Sequence, residues 1–377
     1  MQCSNMLPSG KEDNFIIQFG ILLLLVAAAL MMTSCDDPVG DADTPGGTLS
    51  VHELSSDLDT PWEMTFAPDG RLFFTQRKGI VSVVENGATS TWLALDSTVA
   101  EVSESGLLGI ALHPKFDQNG YVYIGYTYAA SKSPLKLVNK LVRYKEDPTT
   151  KKPMFDKVML DGIPGNYVHN SGPIEFGPDG KLYWTVGETF NGALAQDRAS
   201  LNGKILRMTD DGKIPSDNPT PNSYVYSMGH RNPQGLAFQP GTNNLWSTEH
   251  GPSQEQGCCH DEINLIMAGK NYGWPVIRGK QTQAGMETPK YESGDTTTWA
   301  PTGAFFVTQG EWAGSMLFTG LRGQALYRAV FNGSDPTKID TVERYLYQRF
   351  GRLRNVVEGP DGRIYIAVSN QDGRGNP

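Results

Sequence analysis

The hydrophobic and polar positions follow one recurring pattern from residue 66 onward. An aromatic or apolar residue leads into a turn of Pro, Asp and Gly, and a short strand with alternating apolar residues follows. The pattern occurs six times, in segments 66–75, 112–125, 176–186, 238–247, 312–319 and 358–367. An Asp-Gly pair between alternating strands is a strong hairpin signal, because glycine adopts a positive φ without a Cβ clash. The pattern therefore predicts six repeated β-hairpins.

Repeated sheet units favour a β-propeller, which closes such units into a ring. A β-sandwich is the alternative, but it would not need the same hairpin six times. After the N-terminal segment, no long stretch keeps apolar residues at helical spacing. We therefore predict an all-β fold, a six-bladed β-propeller.

The last hairpin is followed only by the turn-like segment 369–377. A closed ring needs a further strand at this point, and an unpaired edge would favour aggregation. Two alternatives remain open. Either a strand near Leu49–Leu54 closes the last blade, or the sequence is truncated at its C-terminus.

The N-terminus has the pattern of a targeting segment. Lys11 precedes an apolar run from Phe15 to Met32, and Thr33 and Ser34 then precede Cys35. This is the charged, apolar and small-residue order of an export signal. A cysteine directly after small residues resembles a bacterial lipoprotein signal. An ordinary cleaved signal peptide and a retained membrane anchor are the alternatives.

All three alternatives export the domain that follows. We predict a lipoprotein-type signal at 1–35, a linker at 36–48 and the propeller domain at 49–377. The expected location is the periplasm, the outer membrane or the cell surface, with a lipid tether on Cys35.

Charge and cysteine content narrow the function classes. The net charge is −9 and no block of Lys or Arg is present, which argues against a nucleic-acid surface. Beyond Cys3 and Cys35, only the adjacent Cys258 and Cys259 remain. Adjacent cysteines cannot connect distant strands, so they are either free thiols or a vicinal disulfide.

Candidate chemistry concentrates in the segment 228–275, where His, Arg, Asn, Glu and Asp are crowded among Gly and Pro. Loops of this kind hold functional side chains on a rigid scaffold. Arginine guanidinium groups suit a ligand with several carboxylates or phosphates. Backbone carbonyls near Gly251 and Pro252, with carboxylates close by, supply the oxygen ligands that Ca²⁺ prefers. The residues thus predict an anionic small molecule and a hard cation.

Several segments resemble the soluble pyrroloquinoline quinone (PQQ)-dependent glucose/sorbosone dehydrogenase family, which includes the aldose sugar dehydrogenases. The resemblance runs from about Leu54 to the end of the chain. It is carried by segments 106–114, 176–183, 229–238, 249–252, 261–266 and 271–275. It implies a six-bladed propeller that uses PQQ and Ca²⁺ to oxidise an aldose at C1 to the lactone. Electrons would pass to an external acceptor, a quinone or a cytochrome.

The resemblance also implies catalytic roles. His169 matches the base that takes the proton of the C1 hydroxyl, a step suited to a neutral imidazole. Arg231 and Asn232 match the pair beside the quinone oxygens, where a cation stabilises developing charge. Asp261 matches a carboxylate that supports the base.

Cofactor and metal positions are implied in the same way. Arg352 and Arg354 match arginines that pair with the PQQ carboxylates, and Arg322 stands where the family often has Lys. Glu104 stands where a Gln or Glu contacts the cofactor. The carbonyls of Gly251 and Pro252 match ligands of the Ca²⁺ that polarises the quinone. A second, structural Ca²⁺ site would include Glu262 and Tyr272.

The sequence departs from the family at two places. Asn170 to Pro173 replace a Gly-Gly-Arg run, and residues 253–260 lengthen the loop before Asp261. Two other functions share the fold: a non-redox propeller that binds carbohydrate, and a Ca²⁺-dependent lactonase. His169 and the arginines favour the dehydrogenase, because a lactonase needs carboxylate and Asn metal ligands but no arginine cluster.

Overall fold

The computed structural model describes residues 49–252 and 258–375. The predicted export signal, Cys35 and the linker to Thr48 lie outside the described residues. Their boundaries therefore stay predictions.

Antiparallel β-sheets make up nearly all of the regular structure. The first sheet contains β1 (Pro61–Phe66), β2 (Leu72–Gln76), β3 (Ile80–Glu85) and β4 (Ala88–Ala94). The second contains β5 (Leu107–Leu112), then the helix α1 (Phe116–Asn119), β6 (Tyr121–Lys132), β7 (Leu135–Glu146) and β8 (Pro153–Pro164).

The next three sheets repeat this plan. The third contains β9 (Ile174–Phe176), β10 (Leu182–Val186), the helix α2 (Gly192–Gln196), β11 (Lys204–Met208) and β12 (Val225–Met228). The fourth contains β13 (Pro233–Phe238), β14 (Leu245–Glu249), β15 (Glu262–Ile266) and β16 (Tyr291–Glu292). The fifth contains β17 (Pro301–Phe306), β18 (Met316–Gly320), β19 (Ala325–Phe331) and β20 (Ile339–Tyr345). Neither helix in these described ranges is long and apolar enough to cross a membrane.

The last hairpin forms only a two-stranded sheet, β21 (Leu353–Glu358) and β22 (Ile364–Val368). The all-β propeller is confirmed, but the prediction of six blades is wrong. The described residues form five four-stranded blades and this smaller sheet. The repeating pattern counts hairpins, and a hairpin supplies two strands rather than four.

Residues 49–54 are not a strand, so the predicted closing strand is wrong as well. Leu49 instead packs against the apolar cluster that contains Ile364 and Val368. This apolar side chain is therefore partly removed from water by packing and not by strand pairing.

Six apolar clusters lie between neighbouring sheets and hold the ring together. The first strands of successive sheets contact one another, and β21 contacts β1, so these strands surround the axis. Close approach is built in at Gly109 of β5. A Cβ there would overlap the carbonyl oxygen of Gly172 and lie 2.8 Å from Cδ1 of Ile174.

The antiparallel register gathers particular loops at one end of the propeller, which we call the upper end. The start of each first strand lies beside the end of the second strand, as in Pro233 opposite Glu249 and Pro301 opposite Gly320. The segments before each first strand and after each second strand therefore share the upper end. Most of the predicted site residues are in these segments.

The helix α2 at the upper end is fixed by a buried lysine. Lys204 Nζ donates hydrogen bonds to the carbonyls of Leu194, Ala195 and Asn202 at 2.8, 3.1 and 2.7 Å. Burial lowers the pKa of Lys204 to about 8, against its ordinary value of 10.5. The folded protein thus holds a desolvated cation that the unfolded chain leaves in water.

Lys204→Met should show how this cation affects stability. Because the pKa of Lys204 is lower in the folded state, its contribution is largest above pH 10.5 and is lost as the pH falls through about 8. We expect the wild type to gain about 1–3 kcal/mol over the variant between pH 7.5 and 10. Urea unfolding at each pH measures this difference. The exposed Lys136→Met should follow the wild type throughout, and a flat difference for Lys204→Met would contradict the prediction.

Candidate active site

The upper end brings a histidine and a glutamate together as a buried pair. His169 precedes β9 with a φ of 55°, and its Nδ1 lies 2.7 Å from Oε1 of Glu188. A carboxylate accepts hydrogen bonds, so Nδ1 carries the proton and Nε2 keeps a lone pair. The backbone N–H of His169 donates to Oε2 of Glu104 at 3.2 Å. The geometry thus prepares Nε2 to act as a base.

Asp261, the predicted support of the base, has a different set of partners. Its Oδ1 accepts from the Gly251 N–H at 2.8 Å, and its Oδ2 accepts from Thr298 Oγ1 and from the N–H groups of Trp299 and Ala300. Burial raises the pKa of Asp261, although these donors oppose the rise. Asp261 therefore ties the loop of Gly251 to the start of β17, and Glu188 holds His169 instead.

The sequence does contain a signal for Glu188. His169 and Glu188 are 19 residues apart, and so are His230 and Glu249, which also form a hydrogen bond. In both cases the histidine precedes a first strand and the glutamate follows the end of the second strand or terminates it. A comparison of the repeats at this spacing would have identified the pair.

The second histidine of this kind is structural. His230 is fully buried, its Nε2 bonds to Ser227 Oγ at 2.8 Å, and its ring stacks on Tyr272 at 4.8 Å. Its Nδ1 lies 2.9 Å from Oε2 of Glu249. The other carboxylate oxygen of Glu249 accepts from the N–H groups of Arg231 and Asn232. Glu249 thereby fixes the turn that presents these two side chains.

Arg231 and Asn232 lie within the same polar group as His169. The Arg231 guanidinium lies over the Trp274 ring at 5.4 Å and donates to the His250 carbonyl at 3.5 Å. Burial lowers the pKa of Arg231, and the charges of Glu188 and Glu104 oppose that shift. Asn232 Oδ1 accepts from the Ser171 N–H at 3.2 Å.

The arginines of the last sheet already hold a carboxylate. Arg352 contacts Asp372 at 2.7 and 2.8 Å, and Arg354 lies 3.8 Å from the same group. Arg354 also stacks on Trp62, with its guanidinium carbon 3.7 Å from the ring centroid. Burial lowers the pKa of Arg354, which Asp372 partly opposes. Asp372 was missed because nothing in the sequence singles it out.

Glu104 and Arg322 complete the set of predicted cofactor contacts. Glu104 Oε1 forms an ion pair with Arg374 at 2.7 Å. Burial alone would raise the pKa of Glu104, but the charges of His169 and Arg374 hold it below its ordinary value. Arg322 is exposed in the turn after β18, next to Leu321, whose carbonyl accepts a bond from Arg352 at 3.5 Å.

The predicted metal ligands fall into two groups. Within the described residues, no hydrogen bond reaches the carbonyls of Gly251 or Pro252, so both are available as oxygen ligands. The Tyr272 hydroxyl donates to the Leu265 carbonyl at 2.5 Å and accepts from the Met267 N–H. Glu262 accepts from Gly279 and Asn264, and its burial beside Glu249 raises its pKa to about 8.

The side chains of Glu262 and Tyr272 therefore do not converge on a cation. Across the two described ranges, no three His, Cys, Asp or Glu side chains are placed to hold a metal. Of the predicted ligands, the Gly251 and Pro252 carbonyls fit a cation better than this second group does.

The adjacent cysteines form a disulfide, which decides between the two alternatives. Cys259 is buried, and its carbonyl oxygen packs so closely on Gly251 that a Cβ at Gly251 would overlap it. The disulfide thus lies directly behind the loop whose carbonyls were predicted to bind Ca²⁺.

Several buried polar atoms at the upper end lack a hydrogen-bond partner among the described residues. They are Asn232 Nδ2, His250 Nε2, Arg354 Nε, Trp274 Nε1 and Glu188 Oε2. Buried polar groups without partners are rare in proteins, and they commonly mark a ligand site. Most of these atoms are donors, so the arrangement suits a ligand rich in acceptor oxygens.

A family model for the glucose/sorbosone dehydrogenases matches residues 58–375. The quinoprotein glucose dehydrogenase B of Acinetobacter calcoaceticus is 32% identical over 325 residues, which cover 75% of this chain and 66% of that protein. The chain therefore spans slightly less than two thirds of this relative.

Solved structures are similar as well. An oxidoreductase (glucose dehydrogenase) of Thermus thermophilus is 42% identical with a TM-score of 0.78, over 86% of this chain and 96% of that one. The PQQ-bound aldose sugar dehydrogenase of Streptomyces coelicolor is 34% identical with a TM-score of 0.77, over 87% and 93% of the two chains.

Glu249→Gln should reveal how far this carboxylate stabilises the upper end. It removes the charge that accepts bonds from His230 and from two backbone N–H groups, all of them buried. We expect a loss of about 1–3 kcal/mol in the free energy of unfolding. Urea unfolding measures the loss, and the exposed Glu85→Gln should change stability by less than about 0.5 kcal/mol. Equal stability of the two variants would show that Glu249 does not hold the turn.

Proposed function

Because the chain belongs to the glucose/sorbosone dehydrogenase family, we propose that it oxidises an aldose sugar at C1 to the lactone, with PQQ as hydride acceptor and Ca²⁺ beside the quinone. The observation that carries the proposal is the His169–Glu188 pair, which lies beside a group of buried arginines. The predicted family is confirmed, and with it the prediction of an oxidoreductase.

The residues at the upper end fit a polyanionic quinone. Arg352 and Arg354 hold the carboxylate of Asp372, so this pair is able to accept a carboxylate. Asn232 Nδ2 and Arg354 Nε are buried donors without partners in the described ranges. We assign PQQ binding to Arg231, Asn232, Arg322, Arg352, Arg354 and Glu104. When bound, PQQ supplies the hydride acceptor.

Ca²⁺ fits one of the two predicted positions. The Gly251 and Pro252 carbonyls are hard oxygen ligands without hydrogen bonds in the described ranges. A cation there would supply Lewis-acid polarisation. The second position does not fit, because the Tyr272 hydroxyl is committed to Leu265 and Met267.

The protein's own residues perform the proton transfer. His169 Nε2 accepts the proton of the C1 hydroxyl as the hydride leaves C1. Glu188 keeps the proton on Nδ1 and stabilises the imidazolium that forms, because it accepts a hydrogen bond at 2.7 Å. Arg231 places a fixed positive charge near the developing negative charge. Burial lowers the pKa of His250 to about 3, so this neighbouring imidazole stays neutral and does not compete for the proton.

The alternative functions have less support. A lactonase of this fold would need a cluster of carboxylate and amide ligands, and the described residues contain no metal-binding group of three His, Cys, Asp or Glu. A non-redox carbohydrate binder would not need a base held by a buried carboxylate. No particular observation favours either function over the dehydrogenase.

We also propose that the enzyme is exported and tethered through Cys35, and that it passes electrons to a quinone or a cytochrome. The support for export is the sequence pattern of residues 1–35. The family membership supports an external electron acceptor, because a dehydrogenase must be reoxidised after each turnover.

Reconstitution tests the proposed function. Purified protein is incubated with PQQ and Ca²⁺, and reduction of an artificial dye is followed with a panel of aldoses. We expect activity that requires the sugar and PQQ together and that falls when a chelator removes Ca²⁺. Protein without PQQ is the control. Absence of both PQQ binding and dye reduction would refute the proposal.

His169→Ala tests the assignment of the base. Removal of a general base typically lowers the rate by about 10²–10⁴-fold, so kcat should fall by that factor while the affinity for PQQ stays within about threefold. Glu188→Gln should lower kcat less and shift its pH profile, because the amide no longer stabilises the imidazolium. Stopped-flow reduction of the bound quinone measures both variants. A normal rate in His169→Ala would assign the base elsewhere.

A further inference from the structure

A cavity opens beside the His169–Glu188 pair, and we call it the side pocket. Its volume is about 520 Å³, and its walls include Glu188, Phe190, Gly192, Trp274 and Val276. A cavity of several hundred Å³ is the usual size of a small-molecule site. Glu188 belongs to both features, so the side pocket begins one carboxylate away from the base.

Two buried polar atoms belong to the residues that line the side pocket. Glu188 is only 2% exposed, and while its Oε1 bonds to His169, its Oε2 has no partner among the described residues. Trp274 Nε1 is also buried without a partner in those ranges. One is an acceptor and the other a donor. A hydroxyl group can satisfy both kinds, because it donates one hydrogen bond and accepts others.

The rest of the wall is apolar and partly open to solvent. Phe190 is 57% exposed and its ring lies 5.8 Å from the His169 ring, and Val276 is 48% exposed. Exposed apolar side chains that line a concave surface indicate a binding site. An aromatic face together with a carboxylate and an indole N–H suits a sugar ring, which has apolar C–H faces and a rim of hydroxyls.

A glycine keeps this space open. A Cβ at Gly192 would lie 2.9 Å from Cγ of Pro275 and 3.3 Å from Nε1 of Trp274. The φ of Gly192 is not positive, so its backbone conformation does not require glycine. Gly192 is also the first residue of α2, where alanine is a better helix former. The absence of a side chain therefore benefits the pocket and not the fold.

We propose that the side pocket is the specificity subsite for the sugar ring. The ring hydroxyl nearest to C1, on C2, donates its hydrogen bond to Glu188 Oε2, and Trp274 Nε1 donates to an oxygen of the same ring. The subsite accordingly selects aldoses that keep the 2-hydroxyl. This inference rests on the proposed function, because it places the ring whose C1 reaches His169.

Binding and kinetics with D-glucose and 2-deoxy-D-glucose test the subsite. Calorimetry on the full chain without cofactor gives affinities, and dye reduction by the PQQ-loaded enzyme gives kcat/KM. For the wild type we expect kcat/KM to be at least about tenfold lower for the 2-deoxy sugar, as expected when a buried charged acceptor loses its donor. The affinity measured by calorimetry should fall in parallel.

Three variants locate the effect. Gly192→Ala should weaken D-glucose binding at least about tenfold and leave PQQ affinity unchanged, because its methyl group fills the pocket away from the arginines. Val276→Trp fills the pocket from an exposed position and should do the same if Gly192→Ala does not fold. Gly333→Ala is the matched control, since its Cβ would meet nothing within 4 Å.

The outcomes separate the subsite from the proposed function. Sugar binding that Gly192→Ala or Val276→Trp weakens supports the subsite, even if the loaded enzyme oxidises no aldose and the proposed function fails. Equal treatment of the two sugars by the wild type overturns the subsite while oxidation continues. D-Glucose binding that neither pocket-filling variant changes overturns it as well, and so does the absence of any binding.

Discussion

Two buried carboxylates hold the upper end of the propeller in a shape that can carry out chemistry. Glu249 accepts hydrogen bonds from His230 and from the backbone of Arg231 and Asn232. Glu188, in the preceding blade, accepts from His169 and receives its own place from a bond between its N–H and the Arg231 carbonyl at 2.9 Å. The base and the arginine are therefore positioned by one connected set of bonds, which spans two blades.

Charge balance then explains what the site can bind. The buried arginines at the upper end face carboxylates, and Asp372 in particular lies between Arg352 and Arg354. Buried ions are tolerated only when they are paired and hydrogen-bonded, and the donors left over at Arg354 and Asn232 are then the expected contacts of an anionic ligand. The same reasoning separates the two predicted cation positions, because free carbonyls are present at one of them only.

The sequence was informative where a residue type is dictated by local geometry. The Pro-Asp-Gly hairpins predicted the all-β propeller, since each hairpin needs a residue with positive φ at a fixed position. The same loops identified His169, Arg231, Arg352 and Arg354, which the structure gathers at the upper end. The blade count failed because the third and fourth strands of a blade have no signal comparable to the hairpin.

Partners across the ring were harder to predict. Asp261 was assigned to the base, yet it binds the backbone of Gly251, Trp299 and Ala300, and these contacts depend on how neighbouring blades pack. Asp372 and Trp274 likewise acquire their positions from tertiary structure alone. Glu188 differs from them, because the spacing of 19 residues that it shares with the His230–Glu249 pair is visible in the sequence.

The most direct test of the whole account is a crystal structure of the protein grown with PQQ and Ca²⁺. The account predicts density for the quinone at the upper end, in contact with Arg231, Asn232 and Arg354 and within reach of His169. It also predicts a cation at the Gly251 and Pro252 carbonyls. A quinone bound at any other surface, or an upper end that stays free of ligand at saturating PQQ, would contradict it.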